Sequence, residues 1–194
     1  MKTKDKQRKI GTLTYVAREL MPELPYHNFD HAKDVYCATT LLASLVDLDC
    51  EDQFLLGTAA LLHDIIMIPR TKDNEERSAE FARQYLPKIG YSPEQADQVG
   101  KLILTTRMPQ KPNNFLERIL CDADLDNLGR PDFFELGEKV RIELGLPANE
   151  SWYQQQLQFL KNHQYHNDVA RKLRDSGKAA NLEALEKTLR GTKC

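Results

Sequence analysis

The chain has 194 residues, 41% hydrophobic and 29% charged, which is the size of one domain and enough to bury a core without disulfide or metal staples. Its 27 basic and 29 acidic residues leave a formal net charge of −2, without the basic excess of a dedicated nucleic-acid binder. No apolar run reaches the roughly 18 residues of a membrane span, and the charged start Met1–Lys9 lacks the apolar core of a signal peptide. The expectation is a cytoplasmic protein whose Cys37, Cys50, Cys121 and Cys194, none of them closely spaced, are reduced thiols.

The helical spacing of Ile10, Leu13, Val16, Ala17, Leu20 and Met21 predicts a first helix over about 4–21, broken by Pro22 and Pro25. Asp30 is the expected N-cap of a second helix carrying His31, Val35, Thr39, Leu42 and Leu45. Glu51 opens a third, through Phe54, Leu62 and Ile66, which Pro69 ends. A polar loop leads to a fourth over about 75–86. Ser92 caps a fifth, with Pro93 at its first position, running to about Arg107. Residues 108–114, with two prolines and two asparagines, form a loop. A sixth helix over 115–128 stops at Gly129, Pro131 and Asp132 open a seventh ending near Gly145, and Ser151 caps an eighth. The last, about 167–189, is amphipathic with an expected break at Ser176–Gly177. No stretch alternates as a strand does, so the fold class is all-α, a helical bundle.

The chemistry-bearing residues fall inside this apolar frame. His27 and His31 stand four apart at the entrance of the second helix. His63-Asp64 follows the apolar run Ala59-Ala60-Leu61-Leu62, and Asp122, Asp124 and Asp126 follow Ile119-Leu120-Cys121. A carboxylate and an imidazole in an apolar helix are costly to bury unless paired or coordinated, and clustered acids repel unless a cation offsets them. His31, His63, Asp64 and Asp124, with Asp122 as the alternative to Asp124, make a mixed nitrogen–oxygen site. Such a set suits manganese, iron, cobalt, nickel or zinc, with magnesium favoured on an oxygen-rich side. An ion held so acidifies water and orients a phosphoryl group.

The order H…HD…D resembles the HD superfamily of metal-dependent phosphohydrolases. Within it, Tyr26-His27-Asn28-x-x-His31-Ala32-x-Asp34-Val35 is similar to the pattern of class I cyclic-nucleotide phosphodiesterases, and Ala123-Asp124-Leu125 to their last-ligand motif. Asn74-Glu75-Glu76-Arg77-Ser78-Ala79 and Phe159-Leu160-x-x-His163-x-Tyr165 resemble segments of small bacterial HD proteins. The resemblance implies an HD-domain bundle over 1–194, with a motif core at about 26–129 and a C-terminal helical extension, about 131–190, packed on it. It implies that His31, His63, Asp64 and Asp124 hold one tightly bound divalent ion, with Asp64 the bridging carboxylate if a second ion, held mainly through water, binds. It makes His27 the acid that protonates the leaving oxygen, and Glu75 or Glu76 a base or an orienter of water. Two patterns of relatives are missing. No histidine lies between Asp64 and Asp122, which disfavours a His-rich dinuclear site and a diiron oxygenase, and Thr106-Arg107-Met108-Pro109 stands where some relatives have Thr-x-x-His.

The implied activity is hydrolysis of a phosphate ester, with a nucleotide or cyclic nucleotide as substrate. The alternatives are a nucleotidase-like phosphomonoesterase and a non-catalytic metal or nucleotide sensor. Arg70, Lys72, Arg77 and Arg107 are candidate phosphate clamps, each read individually first as an ordinary surface cation. Asp122 and Asp126 are expected behind the ligands or facing solvent, and His163 and His166 in structural roles. Trp152 and Tyr153 are expected to pack, and Met67 and Met108 to floor a pocket or fill gaps. The amphipathic C-terminal helix is compatible with a homodimer; neither a membrane nor a nucleic acid is an expected partner.

Overall fold

The computed structural model describes residues 3–191; Met1, Lys2 and residues 192–194, including the Cys194 thiol, lie outside the described residues. Within them the chain forms α1 (Thr3–Leu20), α2 (Phe29–Leu45), α3 (Cys50–Leu62), α4 (Asn74–Tyr85), α5 (Pro93–Leu104), α6 (Phe115–Asp124), α7 (Phe133–Glu143), α8 (Glu150–Asn162) and α9 (Asp168–Gly191). Short 3-10 turns at Leu86–Ile89 and Asp126–Gly129 complete the secondary structure, and the described residues contain no strand. The all-α reading holds. None of the described helices is long and apolar enough to cross a membrane.

The centre is α3. Every residue from Phe54 to Leu62 is buried, as expected of a helix apolar all round. Leu13 and Ala17 of α1, Ala32, Val35 and Leu42 of α2, Val99 and Ile103 of α5, and Ile119 and Leu120 of α6 close around it. A smaller cluster of Leu128, Phe133, Leu160 and Leu185 joins α7, α8 and α9. Trp152 is buried and Tyr153 packs against this second cluster, as their apolar bulk predicts. Cys37 and Cys50 are exposed, Cys121 is buried, and none of the three is in a disulfide.

Several helix ends differ from the sequence expectation, each for a local reason. Asn28, not Asp30, caps α2: in extended backbone, its side-chain oxygen accepts from the amides of Asp30 and His31. Likewise Asn149 rather than Ser151 caps α8, through Trp152 N. Ser92 caps α5 as expected, in a capping box with Gln95, but α5 ends at Leu104, short of Arg107. The third helix stops at Leu62 rather than Ile66. Nδ1 of His63 donates to Ala60 O at 2.8 Å, the carbonyl that the Asp64 amide would take in a continuing helix. The sixth stops at Asp124 and tightens into the 126–129 turn, where Tyr165 Oη donates to Leu125 O at 3.2 Å.

The expected break at Ser176–Gly177 is absent, and α9 runs unbroken through both residues. Gly177 instead sits against the backbone of Gly129: an added Cβ would land on the Gly129 carbonyl, 2.9 Å from its carbon. The glycine permits a crossing of α9 over the 126–129 turn. Asn181 locks the crossing by donating to Leu128 O (3.0 Å) and Arg130 O (2.9 Å).

Candidate metal centre

Three elements deliver donors to one point. His31 comes from the first turn of α2, fixed by the Asn28 cap. His63 and Asp64 leave the C-terminal end of α3, inside the core. Asp124 is the last residue of α6. Nε2 of His31 and Nε2 of His63 lie 3.3 Å apart. Asp124 Oδ1 is 3.4 Å from each. Asp64 Oδ2 is 3.1 Å from His63 Nε2 and 3.7 Å from His31 Nε2. His31, His63 and Asp124 form the tightest ligand group, with Asp64 beside it.

This donor set fits a divalent ion. The His63 Nδ1–H is spent on Ala60 O, so Nε2 presents a lone pair to the centre. Two imidazole nitrogens and two carboxylates then converge in a nearly dry site, with His63 only 1% exposed. Burial alone disfavours charge on His63, yet Asp64 and Asp124 pull its pKa well above the ordinary value. Burial likewise opposes charge on Asp124, and hydrogen bonds from His31 and His63 overcome it, holding the carboxyl below its usual range. The cluster therefore demands positive charge, which a proton or a cation supplies. Gln110, in the loop before α6, donates to the outer Asp124 Oδ2 at 2.9 Å and orients that carboxylate.

His27 stands next to this centre, its ring 5.7 Å from that of His31. Its Nδ1 is hydrogen-bonded to Glu143 Oε1 of α7. Glu143 Oε2 also accepts from the backbone amides of Tyr26 and His27, each at 2.9 Å. One buried carboxylate thus clamps the loop, fixes the tautomer and leaves Nε2 as the free nitrogen. Burial would lower the His27 pKa, but the Glu143 hydrogen bond and the charge of Asp64 outweigh it and raise the pKa. Tyr26 lies over His31 at 4.6 Å. Burial and the nearby Asp124 and Asp64 push its phenol well up, so it remains an O–H donor.

The two candidate glutamates separate. Asn74 is buried and pins the 66–73 loop by exchanging hydrogen bonds with Ile68 N and O, both at 3.0 Å. Ser78 Oγ accepts from Ile66 N at 3.1 Å. These contacts set the start of α4 beside the Asp64 turn. Glu75 feels that neighbour: burial, then the Asp64 charge, raise its pKa. Glu76 is instead paired with Arg107.

Three of the four candidate clamps have other partners. Arg70 donates to Leu144 O at 2.8 Å, Arg77 pairs with Asp73 at 2.9 Å, and Arg107 with Glu76; Lys72 is exposed. Asp122 and Asp126 do not face solvent. Asp122 accepts from His166 N (2.7 Å), Asn167 N (2.9 Å) and Asn167 Nδ2, which anchors the turn before α9 and leaves Asp124 as the carboxylate turned to the histidines. Asp126 takes both Nε (2.6 Å) and Nη2 (2.9 Å) of Arg174 on α9. Arg130 chelates Asp34 of the α2 motif at 2.8 and 2.7 Å.

Glu143, Gln110 and Arg130 were not legible in the sequence. Glu143 is 116 residues from His27, an ordinary acid on an amphipathic helix, and Gln110 sits in a loop without a motif.

A family model for the HD domain matches residues 28–126, just over half of the chain. No curated protein matches it in sequence. Among solved structures, Bacillus subtilis YpgQ in complex with ADP has a TM-score of 0.73 at 16% identity, covering 96% of both chains. YpgQ in another crystal structure gives 0.71 at 18% identity, over 96% of this chain and 98% of that one. A predicted HD superfamily hydrolase from an uncultured Thermotogales bacterium gives 0.63 at 22% identity, over 93% of this chain and 91% of that one. These are likenesses of fold.

Proposed function

The chain belongs to the HD-domain family, and on that premise we propose that it is a metal-dependent phosphohydrolase acting on a phosphate ester of a nucleotide or cyclic nucleotide. The observation that carries the reading is the juxtaposition of two units. One is a four-donor centre of His31, His63, Asp64 and Asp124; the other is an imidazole, His27, oriented beside it by Glu143. The similarity in fold to a protein crystallised with ADP supports the nucleotide part.

His31, His63, Asp64 and Asp124 would hold the ion. When bound, a divalent ion supplies Lewis acidity to a phosphoryl oxygen and acidifies a water. Glu75, its carboxyl raised by burial and by Asp64, accepts the proton of the attacking water. His27 donates a proton from Nε2 to the leaving oxygen, and Glu143 stabilises the charged form before transfer and holds the ring in line. Tyr26 offers its O–H to a phosphoryl oxygen. Because Arg77 and Arg107 are charge-paired with Asp73 and Glu76, two of the four candidate clamps have no free charge to offer a dianionic monoester, which favours the singly charged diester.

The test is hydrolysis of a chromogenic phosphodiester and its monoester by metal-stripped protein supplied with manganese, magnesium, nickel or zinc, beside an Asp64→Ala control. Metal-dependent turnover of the diester, lost in the control, is expected. Preference for the monoester would establish the nucleotidase reading. No turnover by folded, metal-loaded protein would refute catalysis and leave a metal or nucleotide sensor.

A further inference from the structure

Beside the metal centre, behind the Asp124 carboxylate, lies a cavity of about 280 Å³ that the mechanism above does not use. Met108, Pro109, Leu125 and Phe159 give it apolar walls; Gln110, Asn162 and Gln164 bring side-chain amides to it. Whole-ligand pockets begin at roughly 300 Å³, so this one suits a part of a substrate. Gln110 connects it to the centre, since the same side chain lines the cavity and donates to Asp124 Oδ2 at 2.9 Å. A group seated here is thus one side chain away from the ligands of the ion.

The polar groups are partly unspent. Gln110 uses Nε2 on Asp124, leaving its carbonyl over, and Asn162 uses Oδ1 to accept from Gln158 Nε2 at 2.8 Å, leaving its NH2. Among the described residues the Gln164 side chain has no hydrogen-bond partner. His163, which also lines the cavity, keeps a buried Nδ1 with no partner. Burial and Lys178 push its imidazole down to about 4, so the ring is neutral at pH 7 and has both an acceptor and a donor nitrogen.

Apolar walls with free amide donors and acceptors match one kind of group: a flat heteroaromatic ring with apolar faces and polar edges. We infer that this cavity between the 108–110 loop and the 159–166 segment is the seat of the substrate's nucleobase. Met108, Pro109 and Phe159 cover the faces of the ring, and Gln110, Asn162 and Gln164 read its edge. The inference rests on the nucleotide reading above and names where the nucleotide is recognised.

Its test needs no turnover. Protein labelled with 13C-methyl methionine is titrated with adenosine, guanosine, cytidine, uridine and, separately, ribose, and the Met108 methyl signal, assigned with Met108→Leu, is followed. At least one nucleoside is expected to shift the signal, and ribose to leave it in place. Gln164→Ala, at an exposed position that leaves the fold intact, is expected to weaken that nucleoside about fivefold, the loss of one hydrogen bond. A Met108 signal unmoved by all four nucleosides at millimolar concentration, or moved equally by ribose, overturns the inference. Failure of the hydrolysis assay with this titration positive would sink the catalytic reading alone.

Discussion

Gly177→Ala is the sharpest probe of how the C-terminal helix is attached. On a solvent-facing helix position the change stabilises by about 1 kcal/mol, since alanine is the better helix former. Here the new methyl would strike the Gly129 carbonyl, with its carbon at 2.9 Å, where normal carbon contacts lie at about 3.5–4.0 Å. Relief therefore requires α9 to retreat by nearly 1 Å. That retreat strains the Asn181 bonds to Leu128 O and Arg130 O and the Arg174–Asp126 pair. Neutral bonds contribute about 1 kcal/mol each and charge-assisted ones about 1.5–3, and forced overpacking costs about 1–3. Partial loss of these, set against the propensity gain, leaves a net destabilisation of about 3 kcal/mol. At about 2–4 °C per kcal/mol for a chain of this size, Tm falls by about 6–12 °C. Calorimetry of wild type, Gly177→Ala and the exposed neighbour Ser176→Ala measures it, the last as the propensity control, expected at or slightly above the wild-type Tm. A Gly177→Ala protein that melts at or above wild type would refute the close-approach argument.

Other outcomes follow from the same geometry. Glu143→Gln removes the charge that raises His27, so the alkaline limb of the kcat–pH profile, where a protonated acid is lost, moves to lower pH; an unmoved limb would exclude His27 as the acid. His63→Ala should abolish the tightly bound ion, read as metal per chain by plasma mass spectrometry. In wild type, a chelator should lower Tm by about 5–11 °C, because an ion at a hundredfold its Kd stabilises by about 2.7 kcal/mol. Asp122→Asn turns one oxygen into a donor facing donors, losing at least one bond of the three from His166 and Asn167 and costing about 2–3 kcal/mol in urea unfolding.

The candidate ligands were readable in the sequence because each is a polar residue in a place where burial forbids an idle one. His63-Asp64 closes an apolar run, and Asp124 follows another. What was not readable is what those residues do to the backbone and who holds them. The His63 imidazole takes the Ala60 carbonyl and ends α3, which no propensity scale anticipates, since leucine-rich sequence simply continues. Gly177 read as a break because glycine weakens helices, whereas its missing side chain serves a contact with Gly129, 48 positions earlier in sequence. Glu143 and Gln110 act across similar gaps, and their own neighbours in sequence give no sign of it.

The alternating acids at the end of α6 and in the turn after it tie the C-terminal helices to the candidate centre. Asp122, Asp124 and Asp126 point to three different partners: the turn at His166–Asn167, the histidines of the metal centre, and Arg174 of α9. A single short segment thus ties the ligand helix to the start and the middle of α9. The 126–129 turn beneath that crossing continues, through the Arg130–Asp34 pair, to α2, which carries His31. From the other side α7 reaches back with Glu143 to hold His27. The donors are aimed by groups of the first two thirds of the chain, Asn28, Ala60 and Gln110, while the last third holds His27 through Glu143 and anchors the donor-bearing elements through Asn167, Arg174 and Arg130. A rotation of α7–α9 relative to the core would change the tilt of His27 and the seating of Asp124 together, so the proposed acid and the candidate ligand are set by the same packing rather than by two independent local arrangements.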